Sequence, residues 1–500
     1  MPKPSPFAIG YTALILLGSA LTCWISWPYI EDDAFIHLEY AYNVATRLGF
    51  TFDSHVVFAD SAPGWVLLLA GLMKVGFSGA VAVKIAGCLG LVIAVMGLRA
   101  LAENVITSPT IRHLFLACVL VNPFFLRWSF SGMEAVMALG CAAFALAFVA
   151  VPAGSRRAAV ARLALVSLLP LLRFEGLLLC VFAVLAIGLD WRALTRCSMK
   201  KAALVAMTTF VPIGLWLLYA FIHFGRLTPT TGAAKRVAAD TFGGAVLVSA
   251  IQMVRTTAFG YGIALGALGL GALLFHRKIW AELQQQRLEN PRVLRTLAAV
   301  FAWPVAVIAF YLAYRTCIQT RYVLVFGPFL LLGAISLFER AERPRWLSTI
   351  LLATLAFYLA FAGVSVFPLL RAKGEMVVRR TAFCQQLAIL LPPKVPIATF
   401  GIGQFAFELP NPIIDTGGIA MPGGLPYLLD EPGMVAWAES QGAQCFIVGG
   451  DRAPSPAYHL TSAMKEPFGD WSPWPSRYTK LISLSLFCRG NIGVPSPLSK

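Results

Sequence analysis

The chain predicts a polytopic α-helical membrane protein with a small α/β domain behind its last span. Three observations lead there. The sequence is 58% hydrophobic and 13% charged over 500 residues, with a mean hydropathy of +0.74, whereas an ordinary soluble domain carries about 25% charged residues. Its apolar residues gather into runs of roughly 20, the length that crosses a bilayer as a helix. Many of its Lys and Arg residues sit in short loops between those runs, the pattern that orients membrane proteins. The formal net charge of +16 therefore marks topology and not a nucleic-acid partner.

The elements follow in order. The first run, Phe7 to Trp27, ends in Trp27-Pro28-Tyr29, an aromatic pattern of membrane interfaces. No small-x-small cleavage motif follows it, so it reads as a retained span, and Lys3 ahead of it places the N-terminus in the cytoplasm. Ala34 to Leu48 has apolar positions near helical spacing and is expected to lie along the outer membrane surface. Pro63 to Val75 is too short to cross and reads as a helix dipping into that interface. Spans follow over Ala80–Leu98, His113–Leu126 and Met133–Val151, with cytoplasmic loops marked by Arg99 and Arg112 and by Arg156, Arg157 and Arg162. A short outward span leads to Arg173-Phe174-Glu175-Gly176. Beyond the basic loop Trp191–Lys201, the run Ala202–Ile222 leads out to the segment His223–Arg236. Ala245–Phe275 returns to the basic loop His276–Arg295, and two further spans bracket an external Arg315–Tyr322. After the basic loop Glu339–Arg345, Leu347–Phe367 exits to the outside. This gives about 11 spans, so residues 1–370 form the transmembrane domain.

Residues 371–500 change character, becoming rich in Pro and Gly with no long apolar run. Val395–Phe400, Pro412–Asp415, Gln444–Val448 and Leu481–Phe487 read as strands and Pro432–Ser440 as a helix, which predicts an extracytoplasmic α/β domain. Gly401 and Gly403 follow a strand, but the third glycine of a dinucleotide fingerprint is missing, which excludes that site. Of ten cysteines, seven fall in or near predicted spans, where a thiol packs as a small apolar group. Cys384, Cys445 and Cys488 lie in the external domain, where one pair can be oxidised; the sequence does not say which.

The external loops gather charge. Glu31-Asp32-Asp33 follows the first span directly, and Glu134, Glu175, Arg127, Arg173, Arg226, Lys235, Arg315 and Arg321 share its face. Carboxylates and guanidinia at membrane depth are costly and either pair internally or serve a function. A polyprenyl-phosphate sugar places an apolar tail in the bilayer, a phosphate at the interface and a sugar just above it. Such a substrate needs cations for the phosphate and a carboxylate that deprotonates an incoming hydroxyl. Lys235, Arg321 and Arg315 are the candidates for the phosphate. Asp33 is the candidate base, with Asp32 as the alternative. Tyr40, Trp65 and Trp128 are candidate rings for stacking on a sugar, with interfacial anchoring as the competing reading, and Glu134, Arg173 and Glu175 are candidates for sugar or acceptor binding. No cluster has metal-ligand spacing, although Asp32 and Asp33 could lend oxygens to Mg²⁺. The competing class is a transporter or flippase for lipid-linked sugars, which should show charge buried mid-span or internal repeats.

Several segments then carry a family resemblance. They are Asp32-Asp33 through Tyr40 and Asn43, Pro63-Gly64-Trp65, Asn122-Pro123 through Glu134, Arg173-Phe174-Glu175-Gly176, Pro229-Thr230 through Lys235, Arg321-Tyr322, and Asp415. In this order the chain resembles the GT-C superfamily of polyprenyl-phosphate-dependent glycosyltransferases, and within it the mycobacterial terminal arabinofuranosyltransferases. The resemblance implies an aspartate base in the first loop and an inverting, single-displacement transfer from a decaprenyl- or undecaprenyl-phosphate sugar. The expected donor sugar is a pentose such as arabinofuranose. The expected acceptor is an envelope glycan or a surface protein such as a pilin, met on the outer face of a bacterial inner membrane. Three segments depart from the group's pattern: Glu39 stands where Arg is usual, Phe174 replaces a Pro, and Phe58-Ala59-Asp60-Ser61 replaces Glu-Gly-Tyr-Thr.

Overall fold

The computed structural model describes residues 17–46, 48–53, 55–150, 155–182, 184, 198, 200, 203–204, 207–241, 245–289, 291–315, 318–340, 344–467 and 481–490. The basic loop expected at Trp191–Lys201 falls largely outside these residues, as does the beginning of the first span.

Among the described residues, five helices are long and apolar enough to cross a membrane: Gly79–Val105, Val246–Leu274, Val293–Ala313, Thr320–Arg340 and Arg345–Leu390. Pro109–Leu120 and Pro123–Ser129 together make a sixth candidate, bent by 60°. The bend has a local cause. Pro123 removes an amide donor, and Asn122 restarts the helix by accepting from the Phe124 amide at 2.9 Å. The chain from Pro123 to Ser129, which runs past the expected end of the span at Leu126, is therefore helical. Shorter apolar helices include Pro63–Lys74 and Thr208–Phe224.

Two expectations about the outer elements change. The first-loop helix, Asp32–Ala45, does not lie on a membrane surface: residues Ala34 to Ala41 are all buried. It packs against Pro63–Lys74 on one side and against Ile402–Glu408 of the C-terminal region on the other. Its polar residues find partners inside the protein, so both faces can be covered; Asn43 donates to Glu39 at 3.1 Å, for example. The last span also continues beyond its expected end. Pro344–Phe361 runs through a π-turn at Ala362–Val366 into Phe367–Leu390, so one rod joins the membrane helices to the C-terminal sheet.

That sheet has the strands β1 (Ile397–Thr399), β2 (Ile413–Asp415), β3 (Cys445–Gly449), β4 (Tyr458–Pro467) and β5 (Leu481–Arg489) in the order β2-β1-β3-β5-β4. β1 is parallel to β2 and β3, while β5 is antiparallel to β3 and β4. The expected helix appears as Glu431–Ser440. Cys445 and Cys488 are cross-strand partners on β3 and β5 and form a disulfide, while Cys384 is a buried free thiol.

Four contacts seat the C-terminal region on one end of the helices. Asp53 accepts from the Ile413 amide at 2.6 Å, and Lys373 reaches Glu31 at 3.3 Å. Thr230 donates to the Ile419 carbonyl. Asp32 accepts from the Gly403 and Gln404 amides at 3.4 and 3.2 Å. Gly403 is required at this last contact, since a Cβ there would lie 2.0 Å from the Asp32 carbonyl oxygen.

Candidate active site

The three acids of the first loop have three different jobs. Glu31 faces sideways: it accepts from Tyr29 and lies 3.6 Å from Arg127 and 3.3 Å from Lys373. Burial pushes its carboxyl up, but those cations outweigh it and hold the group at about 2. Asp32 points into the C-terminal region, towards the two amides above and Arg380 at 3.6 Å. Asp33 points into a cavity, where it accepts from Arg321 at 2.6 Å and keeps 40% of its side chain accessible. Burial raises the Asp33 carboxyl, yet the charges of Arg321 and Lys235 prevail and hold it below the ordinary carboxylate value.

The cavity has a volume of about 230 Å³, and its lining includes Asp33, His37, Asp60, Glu134, Arg173, Glu175, Lys235, Tyr311, Arg321 and Tyr322. Seven elements far apart in sequence supply these residues. Arg321 enters on the short helix Thr320–Leu324 and is held between rings, with its guanidinium carbon 5.6 Å from the centre of Trp128 and 5.5 Å from that of Tyr322. The Lys235 ammonium lies 5.6 Å from the centre of the same Tyr322 ring. Ile419 of the C-terminal region closes part of the cavity, so the sheet domain contributes to the wall.

Behind Asp33 runs a buried chain of charges. Arg173 donates to Glu134 and Glu175, and its other nitrogen approaches the Tyr311 hydroxyl at 3.0 Å. His37 Nδ1 bonds to Asp60, and His37 Nε2 stands 3.6 Å from Glu134 Oε2. Burial alone would lower His37, but the carboxylates of Asp60 and Glu134 raise it to about 10, so the imidazole is charged at neutral pH. Gly132, at φ +88°, makes the turn before Glu134; a Cβ on it would come within 2.7 Å of the Ala34 methyl.

The sequence expectations separate cleanly against this geometry. Asp33, Lys235, Arg321, Glu134, Arg173 and Glu175 line one cavity. Asp32 does not: its carboxylate faces the Gly403 and Gln404 amides and Arg380 of the C-terminal region. Because Asp32 and Asp33 diverge to different partners, they do not form a shared oxygen site for Mg²⁺. Arg315, a candidate for the phosphate, is exposed, has φ +51° and does not line the cavity. Trp65, Trp128 and Tyr40 are buried to 2% or less and do not line the cavity. Their polar atoms are engaged with Gly132 O, Thr320 Oγ1 and Val57 O, at 2.8, 2.9 and 2.6 Å, so these rings pack behind the walls. His37, Asp60 and Tyr311 are members that sequence reasoning missed.

This arrangement, a first-loop aspartate and two cations at one end of a helical bundle capped by a small sheet, sits on a fold similar to those of several solved structures. No protein-family profile matches the chain, and no curated protein matches it in sequence. Among solved structures, ArnT from Cupriavidus metallidurans bound to undecaprenyl phosphate is similar, with a TM-score of 0.57 and 13% identity over 96% of this chain and 98% of that one. Its apo form gives 0.56 with 14% identity over the same shares. The arabinofuranosyltransferase AftD from Mycobacteria gives 0.50 with 14% identity, covering 95% of this chain and 41% of that longer one. The GT-C resemblance read from the sequence is thus matched by the fold.

Proposed function

We propose that the protein is a membrane glycosyltransferase that takes a sugar, a pentose such as arabinofuranose, from a polyprenyl-phosphate donor and transfers it to an envelope glycan or surface protein on the outer face of the inner membrane. One observation carries the reading: a partly accessible carboxylate, Asp33, shares a cavity with the cations Arg321 and Lys235. The likeness in fold to ArnT, whose crystal structure contains undecaprenyl phosphate, supports the donor class. The disulfide at Cys445–Cys488 supports an extracytoplasmic position for the sheet domain, since such bonds persist in oxidising compartments.

In this reading Arg321 and Lys235 hold the donor phosphate. A guanidinium has five N–H donors, so Arg321 can keep Asp33 and still bind phosphate oxygens. A bound phosphate draws part of the Arg321 and Lys235 charge away from Asp33, which makes the carboxylate a better base in the loaded enzyme than in the empty one. The acceptor oxygen attacks the anomeric carbon opposite the phosphate while Asp33 removes its proton. The bond between the anomeric carbon and the phosphate oxygen breaks with inversion, and polyprenyl phosphate leaves with its charge held by the two cations.

The phosphate assignment is tested by binding. Purified Lys235→Ala and Arg321→Ala proteins in nanodiscs should each bind decaprenyl phosphate about tenfold or more weakly than wild type, the scale of a lost charge-assisted bond. Unchanged affinity in both places the phosphate elsewhere.

A further inference from the structure

We propose that His37 and Glu134 together grip one hydroxyl of the sugar in this cavity, His37 Nε2–H donating and Glu134 Oε2 accepting, with Asp60 holding the imidazole in place. The proposal rests on the glycosyltransferase reading and adds a hydroxyl-reading pair to it. Both side chains are buried, to 6% and 4% exposure, and both line the cavity. Among the described cavity-lining residues, they alone have buried side-chain atoms without a hydrogen-bond partner: His37 Nε2 and Glu134 Oε2. Their remaining polar atoms are committed, Nδ1 to Asp60 and Oε1 to Arg173. The two open atoms stand 3.6 Å apart, too far to bond each other well. A ligand oxygen placed about 2.8 Å from both would make a full hydrogen bond on each side.

The chemistry of the pair selects its ligand. A hydroxyl both accepts and donates, so it satisfies the imidazolium and the carboxylate at once. A phosphate oxygen suits His37 but is repelled by Glu134, and an ammonium suits Glu134 but is repelled by His37. Two adjacent buried polar atoms in a cavity wall that meet only as a long 3.6 Å ion pair, with no full hydrogen bond, suit a ligand hydroxyl placed between them. A site built this way discriminates strongly against an analogue that lacks the hydroxyl, because the two wall atoms are then left open. His37 and Asp60 approach from segments 23 residues apart, and Asp60 lies in one of the stretches where this chain departs from the group it resembles.

The test uses the full-length protein in nanodiscs, with decaprenyl phosphate, decaprenyl-phosphoryl arabinofuranose and the three monodeoxy forms of that donor as probes. Wild type should bind one monodeoxy donor on the order of 10–100-fold more weakly than the parent, the scale of hydrogen bonds to charged groups. In the double variant His37→Phe/Asp60→Leu, which removes the imidazole without stranding its carboxylate, that penalty should shrink to about threefold or less. The affinity of this variant for bare decaprenyl phosphate should stay at the wild-type value. If the double variant does not fold, Glu134→Gln replaces it, with the same collapse expected. Equal binding of all three monodeoxy donors and the parent by wild type would overturn the proposal, as would an undiminished penalty in the variant. Failure of wild type to bind bare decaprenyl phosphate would instead sink the glycosyltransferase reading itself.

Discussion

At the scale of single residues, the first loop divides labour among three adjacent acids. Asp32→Ala should therefore act through the C-terminal region, because it frees the Gly403 and Gln404 amides and removes a partner of Arg380. We expect faster proteolysis near Ile402–Glu408 and a modest loss of turnover with unchanged affinity for decaprenyl phosphate; a loss of turnover as deep as that of an Asp33 variant would contradict this division. His37 gives a pH signature. Its folded value is raised to about 10 from an ordinary value of about 6.5. Its pairing therefore stabilises the fold fully below about 6.5, and that contribution is lost as the pH rises through 10. The melting-temperature gap between wild type and His37→Gln should be wide at pH 6 and close progressively towards pH 10 and above; a gap independent of pH would show that the imidazole is neutral. The acids and the cations Lys235 and Arg321 were legible in the sequence because charge beside a span demands a reason. The pairing of His37 with Asp60 was not, since a lone histidine in an apolar stretch reads as core. The aromatic residues misled for a related reason: Trp65 and Trp128 look interfacial by type, and only packing shows that they are sealed inside.

At the scale of elements, β3 and β5 are held by backbone pairing and by the Cys445–Cys488 bridge. A Cys445→Ser/Cys488→Ser variant should lose on the order of 2–4 kcal/mol from the sheet domain. Hydrogen exchange would read this as earlier opening of β3–β5 with the membrane helices unchanged. Lys84 is a second fastening: from the helix Gly79–Val105 its ammonium donates to the carbonyls of Ser26, Tyr29 and Phe130 at 2.9, 2.6 and 2.6 Å. It thereby fixes the two segments that lead into Asp33 and Glu134. Lys84→Met should cost about 1–3 kcal/mol for each carbonyl that finds no new partner, seen as a lower unfolding temperature in detergent; an unchanged temperature would mean that water replaces the ammonium. Most strands were readable because each is a short apolar run between Gly and Pro turns. β4 was missed because it is an edge strand with few buried positions and a mixed polar and apolar sequence, and its pairing with β5 is a long-range fact. The burial of Asp32–Ala45 was missed for a similar reason. Periodicity marks an apolar face but cannot reveal that Ile402–Glu408 covers the polar one.

At the scale of the whole molecule, the site exists only because the sheet domain is seated on the helices, with Ile419 in the cavity wall and Asp32, Asp53 and Thr230 as its ties. The distribution of basic loops leads us to propose that this assembly lies outside. In a background without other reactive cysteines, a Cys at Ser455 should react with an impermeant maleimide in intact spheroplasts, and a Cys at Arg157 only after lysis; the reverse pattern would invert the topology. The central claim is that Asp33 is the base of a glycosyl transfer, and Asp33→Asn tests it most directly. Asparagine keeps the shape and its side-chain oxygen can still accept from Arg321 but cannot take up a proton. Membranes from a deletion strain that carries the variant are supplied with decaprenyl-phosphoryl [¹⁴C]arabinofuranose, and label is followed into envelope glycans and surface proteins. Transfer should fall about 10²–10⁴-fold below wild type, with decaprenyl phosphate still bound by the purified variant. Transfer at the wild-type rate by Asp33→Asn would contradict it.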